Sequence, residues 1–368
     1  MNYRLFDETN RTDTGPMQHN ETHYEYLNRS KRPEAERIRS LLEDWFSRYP
    51  KKQNDFLLRF KGNEHDSAFF ELYLHEILLR QGFSCQVHPK IEGCDTHPEF
   101  LVSGRGLDFY VEATIPDLPQ DDAINQRLCD ELIDELNKTP SEYYLDVDFE
   151  GLLRNRPSLK GLKTTLENGK PGERFELEGD GAKIVITIKY KKETKDEASV
   201  LTVGHGAYFG SPGAIILRKA IGKKATRYGE LKMPYLIAIN VKGSILHDIE
   251  VSNALFGDLC VRINPKTGES IPGRDRRTAK LLSPKGDPQN TRVSGIILLN
   301  SLVAWNIAQC TPVLWHNPFA EPETSFPSEL WQLPQQIPNK PTGILEKMEG
   351  KSVSELLGLP QHWPEEGF

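Results

Sequence analysis

Cysteine is sparse in this chain: five among 368 residues, an odd number scattered without pairing rhythm. That excludes a disulfide framework and points to a reducing compartment, so the cytoplasm is the expected location. No apolar run approaches the roughly 18 residues that cross a bilayer, so no membrane partner is expected. The first twenty residues are polar and of mixed charge, unlike a secretory signal. Positive charge is not in excess either: 46 Lys and Arg stand against 53 Asp and Glu, a net charge of -7. A nucleic-acid partner would have to be met by locally concentrated cations. A P-loop is missing as well, since the glycines around His205 lack Gly-Lys-Ser/Thr before a helix.

What is present reads as an α/β chain with ample core, 37% hydrophobic. A helical lead-in occupies residues 1–60, with a flexible start and a helix from Pro33, where Ile38, Leu41, Leu42, Trp45 and Phe46 recur at helical spacing. The densest stretch follows: a helix over 66–80, a strand over 83–87, the segment 97–102, and a strand over 109–114. Helix 121–137 and strand 143–149 come next. Gly179-Asp180-Gly181 joins strands 174–178 and 182–190 as a hairpin. Residues 191–197 read as a charged turn and 204–213 as a Gly-rich loop. A helix then runs to Arg227 or Tyr228 and stops at Gly229. Residues 234–241 are continuously apolar, the mark of a strand buried on both faces. Strands near 259–263 and 293–299 flank a polar, basic loop over 264–292, and after Trp315 the chain is Pro-rich. No domain break stands out; the expected division is 1–60, a core over 61–320, and an extension over 321–368.

Three carboxylates sit where a purely structural sequence rarely puts them. On the wheel of helix 66–80, Glu76 and Arg80 form a solvent-facing i,i+4 pair, whereas Glu71 and His75 fall in an apolar notch. A carboxylate there needs a cation, a metal or a donor: a structural ion pair or a functional group. In strand 109–114, Phe109, Val111 and Ala113 share one face, and Tyr110, Glu112 and Thr114 the other. Glu112 alone would read as a solvent-face residue. A hairpin through Gly104 and Gly106 brings it near Glu99, and two close carboxylates invite a divalent cation.

These elements, reading Glu71, Pro98-Glu99 and Glu112-Ala113-Thr114, resemble the PD-(D/E)xK nuclease superfamily. Residues 68–72, His88-Pro89, 98–102 and 109–114 resemble in particular a group of uncharacterised bacterial proteins with that core, and Trp315-His316-Asn317-Pro318-Phe319-Ala320 is similar to a closing motif of the group. The resemblance implies a restriction-endonuclease-like mixed central sheet flanked by helices and metal-dependent hydrolysis of phosphodiester bonds, DNA being the expected partner. Glu99 and Glu112 would hold Mg²⁺ or Mn²⁺, with Glu71 as a further ligand and the Ala113 carbonyl completing the set.

This chain departs from the pattern twice. Glu99 stands for the usual Asp, and Thr114 stands where a Lys would place positive charge on the reaction. Lys224 is the candidate replacement: it lies inside the apolar stripe of Leu217, Ala220, Ile221 and Tyr228, so it either snorkels outward or reaches an acid cluster. Lys224-Ala225-Thr226-Arg227-Tyr228 also resembles the Gln-x-x-x-Tyr helix motif of exonuclease-like branches, with Lys for Gln. Lys189 is a weaker candidate on a wet strand face. Cys85, His88, Cys94 and His97 offer zinc-competent ligands at a spacing short for a finger. The basic run 273–280 reads as a phosphate contact or a solvated loop. Three functions stay open: a nuclease, a catalytically weak nucleic-acid-binding module, and a nuclease-fold protein acting in assembly, a homodimer among the options.

Overall fold

Glycine geometry and apolar density settle where the main sheet begins. The computed structural model describes residues 3–18, 21–50, 54–116, 120–139, 141–151, 153–158, 164, 166, 169–179, 182–192, 199–205, 212–229, 231–242, 246–263, 270–338 and 345–365. Helices α1 (His23–Arg29), α2 (Pro33–Arg48) and α3 (Asn54–Lys61) lead into α4 (His65–Arg80). Every residue of α4 from Ala68 to Leu78 is buried, as a helix apolar on nearly all sides must be. The expected surface pair of Glu76 and Arg80 forms at 2.7 Å, but Glu76 is fully buried and also binds Arg48 at 2.9 Å. The wheel gave the right neighbours and the wrong solvent, because α2 packs over that sector.

Strands β1 (Ser84–Val87), β2 (Phe100–Gly104) and β3 (Leu107–Thr114) form an antiparallel meander. Arg105 and Gly106 turn β2 into β3 with φ of 54° and 82°, the double positive φ that a two-residue hairpin requires. β3 then pairs in parallel with a strand far along the chain, Tyr235–Val241. Between them lie α5 (Gln120–Lys138), β4 (Tyr143–Gly151), β5 (Arg174–Gly179), β6 (Ala182–Lys191), β7 (Val200–His205) and α6 (Pro212–Ala225). The Tyr235–Val241 strand, β8, is buried at all seven positions, as its unbroken apolar sequence predicts.

After β8 come α7 (Asp248–Phe256), β9 (Asp258–Ile263), β10 (Ser270–Asp275), β11 (Gly295–Asn300), β12 (Val313–His316), β13 (Gln335–Pro338), β14 (Leu345–Met348) and α8 (Val353–Leu357). The eight-stranded mixed sheet runs β1-β2-β3-β8-β11-β12-β13-β14. Several of these strands correct the sequence reading. Gly204 and His205 belong to β7, not to a loop, and residues 206–211 of the expected Gly-rich loop lie outside the described residues. Of the expected charged turn, Lys191 ends β6 and 193–198 lie outside the described residues. β10 pairs antiparallel with β9 inside the expected basic loop, whose residues 264–269 are likewise outside them. The Pro-rich C-terminal stretch continues the main sheet through β13 and β14. Short strands of four residues carry too little periodicity to be seen in sequence.

The chain divides into two compact units, a break the sequence did not reveal, and neither residue 60 nor 320 is a boundary. One unit holds residues 1–14, 22–117 and 212–368; the other holds 15–21 and 118–211. The second has its own sheet, β5-β6-β4-β7, and its own core, in which Leu128, Leu132 and Leu136 of α5 pack with Val147, Ile184, Ile186 and Ile188. All five cysteines are free. Among the described residues, no helix is long and apolar enough to cross a membrane.

Candidate active site

Strand β2 stops short of β3, and the gap creates the site. Pairing between them ends at Phe100 and Val111, whereas β3 runs on to Thr114 beside β8. Ala113 therefore has no β2 residue opposite it. Its N–H donates instead to Glu99 Oε2 at 2.9 Å, so the acid just before β2 caps the exposed edge. In an extended strand the C=O of a residue points to the same side as its N–H, so the Ala113 carbonyl faces the Glu99 side too.

Glu112 is fully buried. Glu99 meets it through a side-chain hydrogen bond, which requires a proton on one of the two. Burial first, and the Glu112 charge second, push Glu99 up to about 8, so the acid pair as a unit favours holding one proton. The two acids expected to meet through the hairpin do meet.

The end of α6 supplies the charge that balances them. Lys224 Nζ donates to Glu112 Oε1, and Arg227 Nη1 donates to the same oxygen at 2.7 Å. The Tyr228 hydroxyl lies within hydrogen-bond reach of Glu112 Oε2 and, at 2.9 Å, of the His97 carbonyl; its one hydrogen serves one of them at a time. Burial, then the bond to Glu112, raises the Tyr228 phenol far above its ordinary value. With Glu99, four groups address Glu112, which matches the roughly four lone-pair sites of a carboxylate. Lys224 does not snorkel outward: its side chain is 10% exposed, against 37% for Arg227. The Tyr235 hydroxyl donates to the Lys224 carbonyl at 3.2 Å, and its ring meets that of Tyr228 edge to face. With one proton shared by the acid pair, one anion would face two cations.

Glu71 is buried as expected but serves a neighbouring contact. It accepts from the Tyr49 hydroxyl at Oε1 and from Arg59 Nη2 at 2.8 Å at Oε2, and His88 Nε2 lies 3.7 Å away. The His88 ring lies 4.7 Å from that of His97, tilted by 31°. Among the described residues, no group of three or more His, Cys, Asp or Glu side chains is placed to hold a metal ion. Glu71, Glu99 and Glu112 thus do not form a three-acid cage, and Cys85, His88, Cys94 and His97 do not form a zinc site. Cys85 is held in β1 with its thiol pushed up to about 12 by burial, and Cys94 faces Thr96 and the Arg227 carbonyl. What remains for a hard cation is Glu99, Glu112 and the Ala113 carbonyl. Mg²⁺ commonly takes one or two carboxylates and fills the rest with water and substrate oxygens, so the donor types suit it, but an ion would have to displace a group now on Glu112.

Thr114 ends β3, half-buried, and makes no side-chain hydrogen bond among the described residues. Lys189 pairs with Asp146 at 2.6 Å in the other unit. Arg227, Tyr49 and Arg59 were missed in sequence. Arg227 stood inside the quoted helix motif, beyond the end of α6, where a helical wheel no longer assigns a direction. Tyr49 caps the C-terminus of α2, and both it and Arg59 are defined as partners of Glu71 only by the fold. No family model, curated protein or solved structure matches this chain, so the site rests on its own geometry.

Proposed function

We propose that the chain is a Mg²⁺- or Mn²⁺-dependent nuclease of restriction-endonuclease-like fold that hydrolyses phosphodiester bonds in DNA. One observation carries this reading: Lys224 and Tyr228, four residues apart, both reach Glu112. An ammonium thus stands at the acid pair although the position after Ala113 is Thr. The order of elements supports the same reading, with α4, an antiparallel β1-β2-β3 meander, and β8 joining β3 in parallel after α6.

Glu99, Glu112 and the Ala113 carbonyl would hold the ion, which supplies Lewis-acid stabilisation at a phosphoryl oxygen. The chain's own residues do the rest. Lys224 holds an ammonium in a water-poor setting, where a fixed charge stabilises a developing negative charge far more than in bulk water. Arg227, more exposed and planar, is suited to bind a non-bridging phosphate oxygen. Glu99 holds one proton at its carboxyl and releases it when positive charge approaches. Tyr228 orients Glu112 when its one hydrogen is donated there and not to the His97 carbonyl.

A second reading draws on the saturation of Glu112. With every acceptor site engaged internally, the cluster also suits a module that binds nucleic acid through Arg227 and cuts weakly or not at all. Cleavage of plasmid and single-stranded DNA with Mn²⁺ or Mg²⁺ separates the two. Wild type should cut, and Glu112→Ala and Lys224→Met should lose at least about a hundredfold in rate. Absence of metal-dependent cutting, or equal cutting by Glu112→Ala, rejects the nuclease; DNA binding that survives without cutting selects the module.

A further inference from the structure

A polar pocket lies between the N-terminal segment and α2, and it shares no residue with the acid pair. Its volume is about 500 Å³, and Arg4, Arg11, Arg39 and Ser40 line it together with the carboxylates Asp7, Glu8 and Glu43. Arg39 is the unusual member, a guanidinium only 9% exposed. Its Nη1 donates to the carbonyls of Leu27 and Ser30, bracing the end of α1. That contact uses one nitrogen. Nε and Nη2, the edge with which a guanidinium grips an oxyanion through two parallel hydrogen bonds, have no partner among the described residues.

The three lining carboxylates do not answer that edge. Asp7 is held by Lys61 and Asn28 at 2.9 Å each, and Glu8 pairs with Arg4. Glu43, one turn along α2, accepts the Phe6 N–H at 2.9 Å and forms no ion pair with Arg39 among the described residues. Arg11 brings a second guanidinium. It donates to the carbonyls of Asn28 and Asp7 at 2.7 and 2.6 Å, and forms no ion pair there among the described residues. Burial first, and the Arg11 charge second, lower the Arg39 pKa, with the Glu36 charge acting the other way.

We propose that this pocket binds a phosphate-type oxyanion, gripped by the Nε–Nη2 edge of Arg39 with Arg11 and the Ser40 hydroxyl beside it. Donors arriving from two chain segments suit a tetrahedral anion better than a planar carboxylate. The volume exceeds that of inorganic phosphate and admits a phosphate monoester. The inference is independent of the nuclease reading.

Titration calorimetry on the full chain at constant ionic strength tests it, with inorganic phosphate, a nucleoside 5′-monophosphate and acetate as ligands and chloride as background. Phosphate should bind and acetate should not; a nucleotide that binds at least tenfold more tightly than phosphate identifies the ester as the ligand, and equal binding identifies the free ion. Arg39→Met should weaken phosphate binding at least tenfold. Because Arg39 also braces α1, Ser40→Glu provides a second variant: it places a carboxylate on the pocket wall from an exposed position and should weaken binding to the same degree. Lys347→Gln, an exposed position on β14 that belongs to neither site, should bind phosphate as wild type does. No phosphate binding, equal binding of acetate, unchanged affinity in Ser40→Glu, or an equal loss in Lys347→Gln would overturn the proposal.

Discussion

Lys224 and Glu112 form a buried ion pair across 112 positions of sequence, and Glu112 has no solvent exposure. Removing one partner of such a pair leaves a charge in a medium that solvates it poorly. Lys224→Met should therefore cost stability as well as any activity. Arg227 stays on the same oxygen, so the loss belongs at the lower end for broken buried pairs, about 3 kcal/mol. Urea unfolding of the variant checks it; a midpoint like that of wild type would mean that Arg227 alone suffices.

Glu99 makes stability depend on pH in a definite direction. Its folded value is raised from 4.5 to about 8, by burial and then by the Glu112 charge. A group with a raised folded-state pKa contributes fully below its unfolded value, and that contribution is lost as pH rises through the folded one. Between about pH 5 and pH 8.5 wild type should lose stability that Glu99→Gln retains. Urea midpoints for both proteins across that range should diverge; parallel curves would show that Glu99 is not the group responsible.

Glu71 and Glu112 should separate in their effects on activity. Glu71 is bound by Tyr49 and Arg59, outside the acid pair. Glu71→Gln should leave most of any metal-dependent cleavage, whereas Glu112→Gln should remove it. Equal losses at matched fold stability would put Glu71 back at the reacting centre.

Glu76 tests the corrected view of α4. A surface i,i+4 pair contributes a few tenths of a kcal/mol. Glu76 is instead fully buried between Arg48 and Arg80. Glu76→Ala should cost on the order of 3 kcal/mol in chemical denaturation.

The parts of this molecule legible in sequence are those fixed by local physics. Arg105-Gly106 marks a two-residue turn, β8 announces its burial by unbroken apolarity, and strand parity sets Glu112 on the face opposite Val111. Lys224 could be picked out because a cation inside an apolar stripe needs an explanation. The rest depends on partners distant in the chain. Arg227 gains its meaning from Glu112, Tyr49 from Glu71, and Glu76 from Arg48, and no window of local sequence contains both members. The C-terminal strands were hidden for another reason: four residues, with proline nearby, show too little alternation to be told from a loop.

The insertion of a separately cored unit between β3 and α6 has a consequence for how the protein is made. Glu112 is synthesised well before Lys224, Arg227 and Tyr228, and closing an unstructured loop of 112 residues costs about 4 kcal/mol beyond the constant term. If residues 118–211 fold first, that stretch no longer behaves as free chain and the effective loop shortens. A nascent chain halted ahead of α6 carries a sheet whose inner acid has no ammonium to be buried against.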